Sequence, residues 1–185
     1  MARARPGPRI VAGSLGGRRL RSPAGADVRP STERTREAIF SMLGPIEGLS
    51  ALDLYCGTGA LGIEALSRGA MPVTLVDLAP GPARGNVELL GLGGRCEVIG
   101  GDVSAVLREE VRRFDLVFCD PPYRLADRLG PELDSLLPAR LTEAGRVIVE
   151  SASATPALLS LPLLTERRYG RSLVRVHSAE GGTDD

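Results

Sequence analysis

Leu52-Asp53-Leu54-Tyr55-Cys56-Gly57-Thr58-Gly59-Ala60-Leu61-Gly62 is the stretch that decides the fold. An apolar run ends in a literal G-x-G-x-x-G, and helix formers follow it. Glycines at a strand-to-helix turn let the backbone bend sharply and approach a ligand closely, so this stretch predicts the first unit of a ligand-binding α/β sheet. Working outward, strands are predicted at Ala51–Tyr55, Val73–Val76, Cys96–Ile99, Phe114–Cys119 and Arg146–Glu150. Helices are predicted between them, near Ala60–Arg68, Pro82–Leu90, Val103–Arg113 and Asp127–Leu137. Leu116-Val117-Phe118-Cys119 is apolar throughout rather than alternating, as expected for a parallel strand covered on both faces. Two last runs, Leu163–Tyr169 and Ser172–His177, have only Gly170-Arg171 between them and read as a closing antiparallel pair. The expected fold class is α/β: a doubly wound, mostly parallel sheet with a C-terminal antiparallel strand pair.

Upstream, Arg9–Gly13 and Arg18–Leu20 flank Gly16-Gly17, a hairpin signal. Ser31 or Thr32 can cap a helix running to Leu43, where Gly44-Pro45 stops it. At 185 residues, the chain is long enough to bury one core. Residues 1–8 and 179–185 are expected to be disordered tails, and 9–178 a single domain. Within it, a basic hairpin and helix occupy 9–43 and a cofactor-binding sheet 51–178. The formal net charge of zero hides an asymmetry, because residues 1–36 hold nine Arg against Asp27 and Glu33. The remainder holds 14 Arg against 21 acids, so a basic arm on an acidic body points to a polyanionic partner. Three Cys without paired spacing and a lone His argue for a reducing compartment and against a metal site. With no signal peptide and no apolar span, the protein is expected in the cytoplasm and away from membranes.

The glycine turn fits a dinucleotide as well as S-adenosylmethionine, since Asp77 ends the next strand where it can accept ribose hydroxyls. Three features favour S-adenosylmethionine. Asp53 lies inside the first strand, where a negative charge suits a cofactor carrying an ammonium and a sulfonium but not a pyrophosphate. Asp102 follows the third strand and can accept from an adenine amine. The fourth strand ends in Asp120-Pro121-Pro122-Tyr123, for which a dehydrogenase has no use. Tyr55, Thr58 and Val103, beside these residues, complete the expected cofactor-binding set of Asp53, Gly57, Gly59, Asp77 and Asp102.

Asp120, Pro121, Pro122 and Tyr123 form the candidate catalytic set. An exocyclic base amine is a poor nucleophile because its lone pair is delocalised into the ring. Asp120 and the Pro121 carbonyl can each accept one amine N–H and favour the tetrahedral nitrogen of the transition state. The prolines stiffen the loop and remove N–H donors, and Tyr123 can stack on the base. Cys56 and Cys119 lie near the same strand ends; a nucleophilic thiol is conceivable, but small core residues are the simpler reading. His177 reads as a plain strand residue, and Glu150 as either structural or part of a base pocket. Rival functions are an adenine-N6 or protein-glutamine methyltransferase with the same pocket, a nicotinamide oxidoreductase, and a non-enzymatic RNA-binding module.

Taken together, Arg9-Ile-Val-Ala-Gly13 with Gly17-Arg-Arg-Leu20, Arg29-Pro-Ser-Thr-Glu-Arg-Thr-Arg-Glu37, Leu52 through Ala70, and Asp115-Leu-Val-Phe-Cys-Asp-Pro-Pro-Tyr123 resemble the RsmD family of bacterial 16S rRNA guanine-N2 methyltransferases. The resemblance spans roughly residues 9–178. It implies a Rossmann-like class I methyltransferase with an N-terminal β-hairpin, using S-adenosyl-L-methionine. The implied partner is 16S rRNA in the small ribosomal subunit or its assembly intermediate, and the protein is expected to be a monomer. Arg9, Arg18, Arg19, Arg29, Arg34 and Arg36 would then belong to RNA-contacting segments. The sequence departs from the family at Asp77, where Glu is frequent, and at Ala79-Pro-Gly-Pro-Ala-Arg-Gly85, which is poor in helix formers.

Overall fold

The computed structural model describes residues 5–22, 31–121 and 126–179. In chain order these form β1 (Arg5–Arg9), β2 (Arg19–Ser22), α1 (Glu33–Leu43), β3 (Ala51–Leu54), α2 (Ala60–Ser67), β4 (Val73–Asp77), α3 (Gly81–Leu89), β5 (Cys96–Gly100), α4 (Val103–Glu109), β6 (Phe114–Cys119), α5 (Ala126–Leu136), β7 (Leu141–Ala152), β8 (Leu163–Tyr169) and β9 (Ser172–Ser178). The main sheet has the strand order β5-β4-β3-β6-β7-β9-β8. β3 to β7 are parallel, and β9 runs antiparallel to both β7 and β8. The order reverses between β3 and β6, so the switch point lies where the glycine turn leaves β3.

Both faces of this sheet are covered. Ile39 and Phe40 of α1, Ile63 and Leu66 of α2, and Val87 of α3 pack with Leu75, Phe118 and Ile148 on one face. Val103 and Leu107 of α4 and Leu133 of α5 pack with Leu54, Val117 and Val149 on the other. Two buried faces explain the unbroken apolar runs of the central strands.

Several boundaries differ from the sequence expectation, each for a local reason. β1 begins at Arg5, inside the stretch expected to be disordered, because Arg5 and Pro6 pair with Ser22 and Arg21. α3 forms despite its composition, since Pro82 sits in the first turn, where its missing N–H costs nothing. α4 stops at Glu109 rather than Arg113. There the Glu110 carboxylate takes the backbone N–H groups of Val111 and Arg112, a local arrangement that competes with helix. β7 starts five residues early, at a Thr142-Glu143 segment without a strand-like apolar pattern. Thr32 is the N-cap of α1, its Oγ1 accepting from the Thr35 N–H, and Gly44 ends that helix at φ 70°.

The β1–β2 hairpin forms a separate two-stranded sheet that lies along α2 and α3. Glu64 of α2, fully buried, accepts the N–H groups of Val11 and Ala12 at 2.7 and 3.0 Å. Ser67 accepts from the Leu15 N–H, and Asn86 of α3 exchanges two bonds with the Arg21 backbone. Gly13, at φ 81°, passes so near Ser67 that a Cβ would fall 1.9 Å from its carbonyl oxygen. Any side chain there would lift the hairpin off α2.

Candidate active site

The glycine turn is shaped from below by two strand-end carboxylates. Asp77, closing β4, accepts the Gly57 N–H through Oδ2 at 2.8 Å and the Ala79 N–H through Oδ1 at 2.8 Å. Asp53, on β3 and 1% exposed, accepts the Gly62 N–H at 2.8 Å. Gly57 and Gly59 have φ of 55° and 80°, and Tyr55 just before them has φ 59°. A non-glycine residue in the left-handed region is strained, and such strain concentrates at ligand sites. Asn86 also donates to the Thr58 carbonyl, so one side chain ties the turn to β2.

The expected cofactor residues therefore converge on one end of the sheet, but not all by direct exposure. Asp53 lies beneath the turn, where it holds the Gly62 N–H. Asp102 uses Oδ1 as the N-cap of α4, accepting from the Ala105 N–H at 3.0 Å, and Val103 after it is buried. Sequence reasoning missed Leu78, which is 78% exposed directly after Asp77 and offers apolar surface beside the acid.

Asp120 follows β6, next to the last ladder pair, Cys119 with Val149. Burial first, and then the charges of Glu150 and Asp53, push its carboxyl well above the usual carboxylate range. Burial, opposed by the Gly62 hydrogen bond and reinforced by Asp77, likewise raises Asp53 to about 7. The charges of Glu150 on β7 and Asp53 on β3 thus both bear on Asp120, the residue that follows β6. The nearby thiols are poor nucleophiles: burial pushes Cys56 and Cys119 far up, so neither is held as thiolate. His177 is buried, with Nδ1 2.8 Å from the Leu161 carbonyl, a strand residue in the core. Pro121 is buried beside Asp120; Pro122 and Tyr123 lie outside the described residues.

Among the arginines assigned to RNA, Arg9, Arg18, Arg19 and Arg34 are exposed, and Arg29 lies outside the described residues. Arg36 must be corrected. It is fully buried, donating to the carbonyls of Ser31 and Arg9 at 2.6 Å each, and burial lowers its pKa. Its guanidinium fastens the start of α1 to the end of β1 and has no surface to offer a phosphate.

The family described as Conserved hypothetical protein 95 matches residues 8–178. The Bacillus subtilis (strain 168) protein YlbH is 39% identical over 123 residues, 63% of this chain and 67% of that one. Ribosomal RNA small subunit methyltransferase D of Escherichia coli K12 is 35% identical over 119 residues, and the match spans 60% of its length. The solved structure of the Escherichia coli protein yhhF superposes with a TM-score of 0.80 at 31% identity, covering 94% of this chain and 98% of that one. With the matched fold, the hairpin and the acid-lined glycine turn in place, the chain belongs to the RsmD family and has the class I methyltransferase fold.

Proposed function

We propose that the protein transfers a methyl group from S-adenosylmethionine to the exocyclic N2 amine of a guanine in 16S rRNA of the small ribosomal subunit. The observation that carries this reading is the acid-supported glycine turn, where Asp77 accepts the Gly57 N–H and buried Asp53 the Gly62 N–H, with Asp120 following β6 on the strand next to β3. S-Adenosylmethionine supplies the methyl group on a positively charged sulfur. Asp77 stands where ribose hydroxyls can be accepted, and Asp53 holds the turn from beneath. Asp120 and the Pro121 carbonyl take the two amine N–H groups, drawing the lone pair out of the ring. Asp120 can then receive the proton that leaves nitrogen as the N–C bond forms. The names of the relatives support rRNA as substrate, and the exposed Arg9, Arg18, Arg19 and Arg34 supply charge for phosphates. A base must be unstacked to reach such a pocket.

Single-turnover transfer to small subunits tests the assignment. Asp120→Ala should slow it by about 10²–10³ while cofactor affinity, measured separately by calorimetry, changes little. Asp120→Asn should fall between parent and Ala, because the amide oxygen still accepts but cannot take a proton. A near-parental rate in Asp120→Ala would make the loop a scaffold.

A further inference from the structure

Glu150 lies near the end of β7 in a largely enclosed setting. It is 4% exposed, and its Oε2 has no hydrogen-bond partner. It lines a cavity of about 520 Å³ that opens between Thr32 and Thr35 at the start of α1 and Tyr169 and Arg171 at the β8–β9 turn. Among the described residues, six buried side-chain polar atoms lack a partner, and Glu150 Oε2 is the one that belongs to a residue lining this cavity. Buried polar atoms are nearly always paired, so an unpartnered buried carboxylate oxygen on a cavity wall points to a polar ligand that completes its bonding.

Building on the guanine-N2 reading above, we infer that this cavity receives the target base and that Glu150 accepts its N1–H, selecting guanine. The register places the two carboxylates together. Cys119, the last residue of β6, pairs with Val149, so Asp120 leaves β6 beside Glu150 of β7, across parallel strands spaced about 4.8 Å. Phe118 and Ile148 pack on the face that carries α1, whereas Cys119 and Val149 pack on the other. Side-chain alternation returns Asp120 and Glu150 to the α1 face. On guanine, the 2-amino group and N1–H are neighbours on one edge. With the amine held by Asp120 and Pro121, N1–H meets the adjacent carboxylate. Adenine carries a lone pair at N1 and would oppose it to a carboxylate with no proton between them. Tyr169 also lines this cavity, and an aromatic side chain there can stack on a base.

The test uses small subunits reconstituted with rRNA carrying either guanine or 2-aminopurine at the modified position. 2-Aminopurine keeps the reactive amine but presents N1 as an acceptor. In single-turnover transfer the parent should favour guanine by about 10²–10³-fold, the penalty of an unpaired, charged acceptor. Glu150→Gln, whose amide can donate to N1, should reduce that preference by at least about tenfold, with cofactor affinity unchanged. A variant slowed equally on both bases keeps the parental ratio, which is what a structural Glu150 would do, and overturns the inference. A parent without preference between the two bases overturns it whatever the variant does. Absence of transfer to guanine by the parent would instead remove the guanine-N2 reading and this inference with it.

Discussion

At Asp53 the burial of one carboxylate sets a pH dependence for the whole chain. Its folded pKa of about 7 lies above the unfolded value of 3.8, so the folded state binds more protons between them. This group therefore favours folding most below about pH 4, and that contribution is lost as pH rises through 7. One pKa unit is 1.36 kcal/mol, so the full loss is on the order of 4 kcal/mol. Asp53→Asn keeps an acceptor for the Gly62 N–H without the charge. Urea denaturation of the cofactor-free protein between pH 4 and 8 should show a flatter pH slope in Asp53→Asn than in the parent, and equal slopes would contradict the assignment. The sequence made Asp53 legible as an unusual acid in the first strand. It could not tell that the residue would be wholly covered, because burial depends on α2 folding back over β3. The same blindness applied to Arg36: its motif reads as surface charge, and only the placement of β1 turns it inward.

Among the elements, the alternation of strand and helix was readable, as was the Thr32 cap. What holds the N-terminal hairpin was not, because its bonds join residues 52 to 65 positions apart and use Glu64, Ser67 and Asn86, which look like ordinary helix residues. Glu64→Ala would leave the Val11 and Ala12 N–H groups unpaired, at about 1–3 kcal/mol each. Hydrogen exchange at Val11 and Ala12 should accelerate in that variant while β3 and β6 stay protected. Unchanged exchange at those two amides would mean the hairpin is held by something else. Because Asn86 bonds both Arg21 and the Thr58 carbonyl, the hairpin and the glycine turn share a support. The cavity was the least legible feature, since its walls come from α1, β7 and the β8–β9 turn, three segments far apart in sequence.

Over the whole molecule, the basic arm proves to be docked structure rather than a loose tail, at least from Arg5 to Ser22. Arg18 and Arg19 are exposed on its outer side, whereas Arg36 is committed to backbone carbonyls. Replacing Arg18 and Arg19 by Ala should flatten the dependence of log affinity for rRNA on log salt by about one unit for each phosphate no longer neutralised. Arg36→Ala should instead lower thermal stability, since it leaves the Ser31 and Arg9 carbonyls without their donor and opens a void. A salt slope changed by Arg36→Ala in a fully stable protein would contradict this division. The measurement that bears most directly on the account is the identity of the product. Small subunits lacking the modification, incubated with the parent protein and isotopically labelled S-adenosylmethionine, would be digested and their rRNA nucleosides separated by mass. The account predicts label in N2-methylguanosine from 16S rRNA; label in N6-methyladenosine, in protein, or nowhere would contradict it.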